Sequence, residues 1–483
     1  MMFTAAQWSA LGPILIVSIT AIVVMMAIAV SRTHWGNATV AVIGLNLALI
    51  SCIFAGQEAP QQLTPLLVMD DYAVFYSALI LAATLACATL SHAYLEGYQG
   101  QREEHYLLLT LACLGGLVLA ASTHLASFFI GLELLSVPLF GMIAYPVKQK
   151  HALEGAIKYL TLSAAATGFL LFGMALLYAE TGTLSFIGLG EKLAALPAGN
   201  PYVLAGAALV LVGAGFKLSI APFHLWTPDV YQGAPAPVTA FLSTASKAAV
   251  FAVLLRLFGE AHLYREAALT DALSALAILS ILVGNLLALQ QNNLKRLLAY
   301  SSIAHFGYLL VALIAAGPLA VEAVGIYLLT YTVTNLGAFG VVTLMSSPMG
   351  ERDAEELWDY RGLFWRRPFL TAILTAMMLS LAGIPVTAGF IGKFYVLAAG
   401  MDMKLWWLVG AVVFGSAVGL YYYLRVVITM FLPDPARLRF DAPVYWGVRA
   451  GGAMVLLLML LMLVMGIFPQ PFLAWASIAQ LSP

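Results

Sequence analysis

Residues 216–237 read FKLSIAPFHLWTPDVYQGAPAP and close an apolar stretch that begins near residue 202. Four prolines interrupt it: Pro222, Pro228, Pro235 and Pro237. A proline lacks the backbone N–H of a helical hydrogen bond and clashes with the preceding turn. In a lipid bilayer, backbone groups freed in this way persist only inside protein or beside a water-filled cavity. The stretch 202–231 therefore predicts a membrane helix that is broken at a functional site.

Residues 378–397, MLSLAGIPVTAGFIGKFYVL, predict a second broken helix. They lie within the apolar stretch 368–399, which is too long for one straight crossing of about 20 residues. The interrupting residues are Gly383, Pro385, Gly389 and Gly392. Two discontinuous helices in one chain are typical of secondary transporters, whose ion sites lie at such breaks.

The composition of the 483 residues also indicates a membrane protein. Hydrophobic residues make up 62%, charged residues 9%, and the mean hydropathy is +0.94. Soluble domains are about 45–50% apolar and about 25% charged, so the chain is not a set of soluble domains. A net charge of −1 provides no excess of positive charge for binding nucleic acid.

About fourteen segments are long and apolar enough to cross a bilayer as helices. They are residues 11–30, 38–55, 72–91, 106–122, 124–146, 154–179, 202–223, 237–258, 272–290, 298–316, 321–346, 368–399, 405–430 and 448–469. No segment shows the alternation of a strand. We therefore predict an all-α, polytopic membrane protein.

Lysines and arginines in the loops predict the orientation, because cytoplasmic loops carry the excess of positive charge. With the N-terminus outside, the inner loops hold Arg32, Arg102, Lys148, Lys150, Lys295, Arg296, Arg352, Arg361, Arg366, Arg367, Arg437 and Arg439. The outer loops hold only Lys192, Arg265 and Lys404. We therefore predict that both termini lie on the outer side.

The two broken segments are the seventh and twelfth predicted spans, so each is fourth in a group of five. A group with an odd number of helices leaves the next group inserted upside down, which is the pattern of inverted repeats. We predict a three-helix segment over 1–105, a five-helix unit over 106–258, an inverted five-helix unit over 259–430 and a C-terminal helix over 431–483.

Four lysines and one glutamate lie inside the predicted spans: Lys158, Lys217, Lys247, Lys393 and Glu133. A charged side chain at the bilayer centre costs roughly 2.5–3.5 kcal/mol on insertion scales, so these residues should face the protein interior. Burial in general disfavours the charged form of a lysine, which allows lysines to accept and release protons. Such residues in series are the components of a proton relay.

The positions of these residues suggest an order. Lys217 precedes the first break by about one turn, and Lys393 follows the second break. Lys247 lies roughly 15 Å into its span at about 1.5 Å per residue, and Glu133 lies at a similar depth. Glu133 is the one deep carboxylate in the predicted spans, so it is the natural counter-charge for a buried lysine, with Lys217 as the first choice.

Two of the candidates, Lys158 and His305, also have structural interpretations. Lys158 lies about one turn inside its span, where a lysine can snorkel, and Glu154 can pair with it from four residues earlier. His305 suits a relay because the ordinary pKa of histidine is about 6.5, yet a lone buried histidine is equally a core residue. We expect the histidines near loops to be solvated: His34, His92, His105, His151 and His262.

The sequence predicts no cofactor in this chain. It contains no Gly-rich phosphate-binding loop, and Cys52, Cys87 and Cys113 are not spaced for a disulfide, zinc or iron–sulfur site. The energy source is therefore expected in an ion gradient or in partner subunits.

Residues 216–251, FKLSIAPFHLWTPDVYQGAPAPVTAFLSTASKAAVF, closely resemble the signature of the antiporter-like membrane subunits of respiratory complex I, NADH:quinone oxidoreductase. NLKRLLAYSSIAHFGYLLVAL at 293–313 and LAGIPVTAGFIGKFYVL at 381–397 support the resemblance, which extends over nearly the whole chain. It implies fourteen helices with two inverted five-helix units. It also implies proton pumping while partner subunits carry electrons from NADH to quinone.

The resemblance further implies roles for single residues. Glu133 and Lys217 resemble the input-side pair of the family, Lys247 its central lysine and Lys393 its terminal proton-exchanging group. The implied partners are neighbouring antiporter-like and small hydrophobic subunits in the bacterial inner membrane. FMN, iron–sulfur clusters, NADH and quinone are expected in partner subunits.

Two other functions compete with this interpretation. Sodium–proton antiporter complexes and membrane-bound hydrogenases use related subunits, but one deep carboxylate among four lysines is a poor site for sodium. A purely structural membrane scaffold is the other alternative, and buried lysines are costly for that role.

Overall fold

A computed structural model of the chain describes residues 3–96, 98, 100–147, 149–197, 199–346, 352–433 and 450–480. Three arginines and lysines of the predicted inner loops, Lys148, Arg437 and Arg439, lie outside the described residues. The described part is almost entirely helical, as the sequence predicts.

Three N-terminal helices precede the first unit: α1 (Ala5–Val30), α2 (His34–Glu58) and α3 (Asp71–Leu95). The first unit contains α4 (Glu104–Ala120), α5 (Leu125–Ile143), α6 (Lys150–Thr181), α7 (Phe186–Leu193), α8 (Pro201–Leu218), α9 (Thr227–Gly233), α10 (Ala236–Phe241) and α11 (Lys247–Glu260). The second contains α12 (Ala267–Leu289), α13 (Leu294–Ala315), α14 (Pro318–Met345), α15 (Leu363–Arg366), α16 (Pro368–Ala382), α17 (Ala388–Asp402) and α18 (Trp406–Phe431). Two helices follow: α19 (Ala450–Ile467) and α20 (Gln470–Ile478).

The described residues contain 12 helices that are long and apolar enough to cross a membrane. The shorter apolar helices Glu104–Ala120 and Pro368–Ala382 fall on the fourth and twelfth predicted spans. Together they account for all fourteen predicted spans, and the prediction of an all-α polytopic fold is confirmed.

A small hairpin is the one departure from helix that the sequence did not predict. Strand β1 (Gln61–Thr64) pairs antiparallel with β2 (Leu67–Met69), with Gln61 opposite Met69. Strands of four and three residues are too short to show a readable alternation of polar and apolar residues.

The first predicted break lies between α8 and α9. Helix α8 ends at Leu218, and Ser219 adopts a left-handed conformation with φ of 62°. The backbone carbonyl of Phe216 accepts a hydrogen bond from the indole N–H of Trp226 at 2.9 Å. This satisfies one of the carbonyls that a helix end leaves without a partner.

The second predicted break lies between α16 and α17. Gly383 ends α16 in the left-handed region at φ 83°, a conformation that glycine adopts without steric cost. Helix α17 begins five residues later, at Ala388. The backbone therefore turns at membrane depth, and the carbonyls at the end of α16 are free to bind a cation.

A π-helical turn, Leu242–Ser246, joins α10 to α11 in the eighth span. π-helical turns are rare and occur frequently at functional sites. Lys247 is the first residue after this turn.

The centre of the bundle is formed by the eighth and eleventh spans. Every residue in the most apolar 18-residue window of Ala236–Glu260 and of Pro318–Met345 is buried, against 33% in Trp406–Phe431. Residues that project from the central helices are therefore shielded from lipid by their neighbours.

Helices α6 and α8 approach closely at Gly173. A Cβ atom at Gly173 would lie 2.6 Å from the carbonyl oxygen of Gly206 and 2.8 Å from the backbone nitrogen of Val210. We expect Gly173→Ala to destabilise the protein by about 1–3 kcal/mol, because overpacking forces backbone shifts. Thermal unfolding of the purified complex measures the effect.

The matched control is Gly168→Ala on the same helix, where a Cβ atom would meet nothing within 4 Å. We expect this variant to keep the parent's unfolding temperature. Equal unfolding temperatures for the two variants would contradict the close approach of α6 and α8.

Candidate functional site

Lys217 lies in the last turn of α8, just before the first break, and its side chain is buried. Its Nζ donates hydrogen bonds to Ser136 Oγ on α5 at 2.5 Å and to Ser163 Oγ on α6 at 2.7 Å. The Tyr159 ring centroid lies 5.3 Å from the same nitrogen. Helices α5 and α6 thus surround the amine with two hydroxyls and a π face.

Glu133 lies at the edge of this cluster, three residues before Ser136 on α5. Its side chain is half-buried, and Oε1 accepts a hydrogen bond from Thr167 Oγ1 at 2.9 Å. The described residues include no ion pair between Glu133 and Lys217. Ser136 and Ser163 therefore bind Lys217 directly, and Glu133 lies near them on α5.

Lys158 lies apart from the buried lysines, in an ion network near the N-terminal end of α6. Its Nζ is 2.6 Å from a carboxylate oxygen of Glu154 and 2.6 Å from Asp229 Oδ2. Arg296 on α13 contacts the other oxygen of Asp229 at 2.7 Å. The Lys158 side chain is 40% exposed, so the pairing with Glu154 that the spacing allows is present and Asp229 joins it.

Lys247 is completely buried at the centre of the bundle. Its Nζ donates to Ser302 Oγ on α13 at 2.8 Å. The hydroxyl of Tyr331 on α14 donates to the same Ser302 oxygen at 2.9 Å, and Asn335 donates to Tyr331 at 3.1 Å. A row of hydrogen-bonded polar side chains therefore leads from Lys247 across α13 to α14.

His305, also on α13, is buried between two tyrosines. Its Nδ1 lies 2.7 Å from the Tyr327 hydroxyl and its Nε2 lies 3.1 Å from the Tyr423 hydroxyl. Tyr423 is in turn hydrogen-bonded to Ser301. Both ring nitrogens of His305 have hydroxyl partners, which can donate or accept a hydrogen bond. The ring can therefore take up a proton at one nitrogen and release a proton from the other.

Lys393 lies on α17, after the second break, and is buried. Its Nζ donates to the backbone carbonyls of Leu381 and Ala382, at 2.9 Å each. These are carbonyls that the end of α16 leaves free. The second break therefore builds the site of Lys393, whereas hydroxyls of intact helices build the site of Lys217.

A small cavity lies between His305, the site of Lys393 and Tyr331, which belongs to the row of side chains that begins at Lys247. Its lining includes His305, Tyr331, Thr334, Ser380 and Leu381. The lining is partly polar, and the space holds about one water molecule. Tyr331 contacts the partner of Lys247, and Leu381 is a partner of Lys393, so the cavity borders both lysine sites.

Lys217 and Lys247 have hydroxyl partners that suit both protonation states of an amine. A serine hydroxyl accepts a hydrogen bond from an ammonium and can donate one to a neutral amine. Hydrogen bonds join Lys247 through Ser302 to Tyr331, and the small cavity separates Tyr331 from Leu381 at the Lys393 site. Hydrogen bonds among the described residues do not connect the Lys217 cluster to Lys247.

Asp229 is a functional candidate that the sequence did not reveal. It lies in the first broken segment, but its pairing with Lys158 on α6 and Arg296 on α13 joins elements far apart in the chain. The only indication of a role for Asp229 in the sequence is that it is a charged residue beside a helix break.

His105 was expected to be solvated and is instead buried, at 1% exposure. Its Nε2 contacts Ser91 Oγ at 2.9 Å, and its ring packs against Tyr106 and Tyr145. The expectation was wrong because His105 lies in the first turn of α4, where it faces α3 rather than the loop.

Within the described ranges, no group of three or more His, Cys, Asp or Glu side chains is placed to hold a metal ion.

The two broken helices and the buried lysines Lys217, Lys247 and Lys393 define the chain as an antiporter-like membrane protein. It belongs to the NADH:quinone oxidoreductase/Mrp antiporter transmembrane family, whose model matches residues 122–419.

One similar protein is NADH-quinone oxidoreductase subunit N of Ectopseudomonas mendocina (strain ymp), 60% identical over 98% of this chain and 96% of its own length. A chain of respiratory complex I from Thermus thermophilus with bound aureothin is 35% identical, covers 96% of this chain and 99% of its own, and has a TM-score of 0.82. A chain of the Mrp complex from Dietzia sp. DQ12-45-1b has a TM-score of 0.84 over 99% of this chain and 97% of its own. At 21% identity, the last comparison supports the fold alone.

Proposed function

We propose that the chain is a proton-translocating membrane subunit of an NADH:quinone oxidoreductase. The observation that carries this proposal is the row of buried amines, Lys217, Lys247 and Lys393, each bound by hydroxyls or carbonyls. Intramembrane ionisable residues that pair with polar groups mark ion and proton pathways. The full-length similarity to NADH-quinone oxidoreductase subunit N supports the assignment to that enzyme.

The proton path runs through both units. Redox work in partner subunits changes the electrostatic interaction between Glu133 and Lys217, and Lys217 gains or loses a proton in response. Water carries the proton to Lys247, and the Ser302–Tyr331 row leads it to the cavity beside His305. Lys393 then exchanges it with the outer side. Lys158 stays in the inner-face network with Asp229, where it shapes the potential at the entrance.

The rest of the assembly follows from this function. The chain itself carries no redox step, so partner subunits hold NADH, FMN, iron–sulfur clusters and quinone. Neighbouring antiporter-like and small hydrophobic subunits flank it in the bacterial inner membrane, with both termini on the periplasmic side. The division at residues 105, 258 and 430 separates the N-terminal segment, the two units and the C-terminal helix.

Lys217→Ala in the chromosomal copy of the gene tests this function. We expect NADH oxidation to fall because electron transfer is coupled to this path, and NADH-driven proton uptake into inverted membrane vesicles to fall at least as far. A native gel confirms that the complex is assembled.

The matched control is Lys192→Ala, which removes an exposed lysine on α7 and should leave both rates unchanged. Unchanged rates in an assembled Lys217→Ala complex would contradict the relay. Sodium-dependent proton flux in liposomes that contain only this chain would instead favour a sodium–proton antiporter.

A further inference from the structure

A second cluster of buried charges, outside the lysine path, lies near the outer ends of α3 and α11. The guanidinium of Arg256 donates to both carboxylate oxygens of Asp70, at 2.7 and 2.8 Å. Asp70 also caps α3 by accepting from the Ala73 backbone N–H at 2.8 Å. Arg256 is 1% exposed and Asp70 is 3% exposed, and the guanidinium stacks on the Tyr72 ring at 4.6 Å.

Glu260, one turn further along α11, is a second carboxylate against the same arginine. Its Oε1 accepts only a long hydrogen bond from Arg256, at 3.4 Å. Its Oε2 is buried with no hydrogen-bond partner, and its side chain is 9% exposed. Asp70 already neutralises Arg256 through two short hydrogen bonds, so an ionised Glu260 leaves one uncompensated negative charge.

The burial of an uncompensated charge is strongly unfavourable. The geometry therefore favours a Glu260 side chain that carries a proton when the cluster is at rest. The groups that face it are Arg256 on its own helix, Asp70 and Tyr72 on α3, and His262 in the following turn.

Glu260 also lines a cavity of about 570 Å³ at the junction of the two units. The ends of α11 and α13 and the start of α14 form its walls, and His262 and Tyr264 contribute polar groups. His262 is exposed, and its Nδ1 lies 3.3 Å from the Tyr264 hydroxyl. A cavity of this size with polar groups accommodates water, and the Glu260 side chain that lines it keeps 9% of its surface exposed.

We propose that Glu260 is a proton-release site on the outer side of the chain. The O–H bond of its carboxyl group breaks, the proton passes to water in the cavity, and Arg256 stabilises the carboxylate until a proton from the interior replaces it. Lys247 lies on the same span, about 20 Å away at 1.5 Å per residue, so water carries the intervening step. This inference rests on the proposed function and adds a second outer-side group, beside Lys393, through which protons leave the chain.

Glu260→Gln in the intact complex tests the inference. Glutamine keeps the size of the neutral acid, so the complex assembles, but it cannot release a proton. We expect the number of protons moved per NADH to fall below the parent's value but to stay above that of a Lys247→Met variant, because Lys393 still exchanges protons. The matched control, Glu266→Gln in the same outer loop, keeps the parent's ratio.

Infrared spectroscopy gives a readout that is independent of pumping. The parent at neutral pH should show the C=O stretch of a protonated carboxyl, which shifts in D₂O and is missing in Glu260→Gln. Absence of this band from the parent–variant difference overturns the inference.

The remaining outcomes are equally decisive. A Glu260→Gln complex with the parent's proton ratio overturns the inference, and so does its failure to assemble, because glutamine mimics the proposed neutral state. Pumping that requires added sodium ions makes Glu260 a cation ligand instead. If Lys247→Met also keeps the parent's number of protons per NADH, the proposed function itself is wrong. If only Glu260→Gln keeps that number, the proposed function stands and only the release site at Glu260 is ruled out.

Discussion

Lys247→Met is expected to lower NADH-driven proton uptake by about tenfold or more, since positioned proton-transfer groups contribute about 10²–10⁴-fold to the steps that they serve. Methionine keeps the length of the side chain and fills the space at the centre of the bundle, but it removes the amine that donates to Ser302 at 2.8 Å. The measurement is proton uptake per NADH in inverted vesicles, with assembly checked on a native gel.

Two further variants show whether the amine itself matters. Lys404→Met removes a lysine from the outer surface, where the side chain is exposed, and should leave proton uptake unchanged. Ser302→Ala keeps Lys247 but removes its hydroxyl partner, and we expect an intermediate loss. Full proton uptake in an assembled Lys247→Met complex would rule out a path through the central lysine.

Asp70→Ala is expected to have the largest effect on stability. It leaves the guanidinium of Arg256 buried, with long hydrogen bonds to Glu260 at 3.4 Å and to the Ala120 carbonyl at 3.5 Å, and with Glu260 as the carboxylate that it still contacts. Removing one partner of a buried ion pair lowers the free energy of unfolding by about 3–5 kcal/mol. Because Arg256 keeps its contact to Glu260, we expect a loss near the lower end of this range. We expect far less assembled complex on a native gel and a lower unfolding temperature for what remains.

The double variant Asp70→Ala/Arg256→Met separates charge from packing. Replacing a buried ion pair by apolar side chains of similar volume is often neutral or stabilising, so the second substitution should restore much of the assembly. A double variant less stable than Asp70→Ala alone would show that Arg256 stabilises the fold mainly by its contact with the Tyr72 ring.

The helices and both breaks could be predicted from the sequence because each depends on local chemistry. Length and hydropathy locate a membrane helix, and Gly383 shows why glycine marks the end of α16, since its φ is 83°. The burial of Lys217, Lys247 and Lys393 follows from the cost of exposing them to lipid, and it needs no knowledge of their partners.

The partners of these lysines could not be predicted, because they depend on how distant helices pack. The sequence suggests Glu133 as the partner of Lys217, whereas Ser136 and Ser163 hold the amine. A serine in a membrane helix usually donates back to a carbonyl of its own helix, so nothing in the sequence marks these two as ligands. The pairing of Lys158 with Asp229 was missed for the same reason.

The wide turn at Leu242–Ser246 has a consequence for the direction in which Lys247 points. An α-helix rotates by about 100° per residue, at about 3.6 residues per turn, and a π-helical turn accommodates one extra residue. Compared with an unbroken α-helix, the residues after 246 are therefore shifted around the helix axis by about one residue position. Deleting a single residue from this turn would restore an unbroken α-helix, and the central amine would lose its alignment with Ser302 although every neighbouring side chain remained the same.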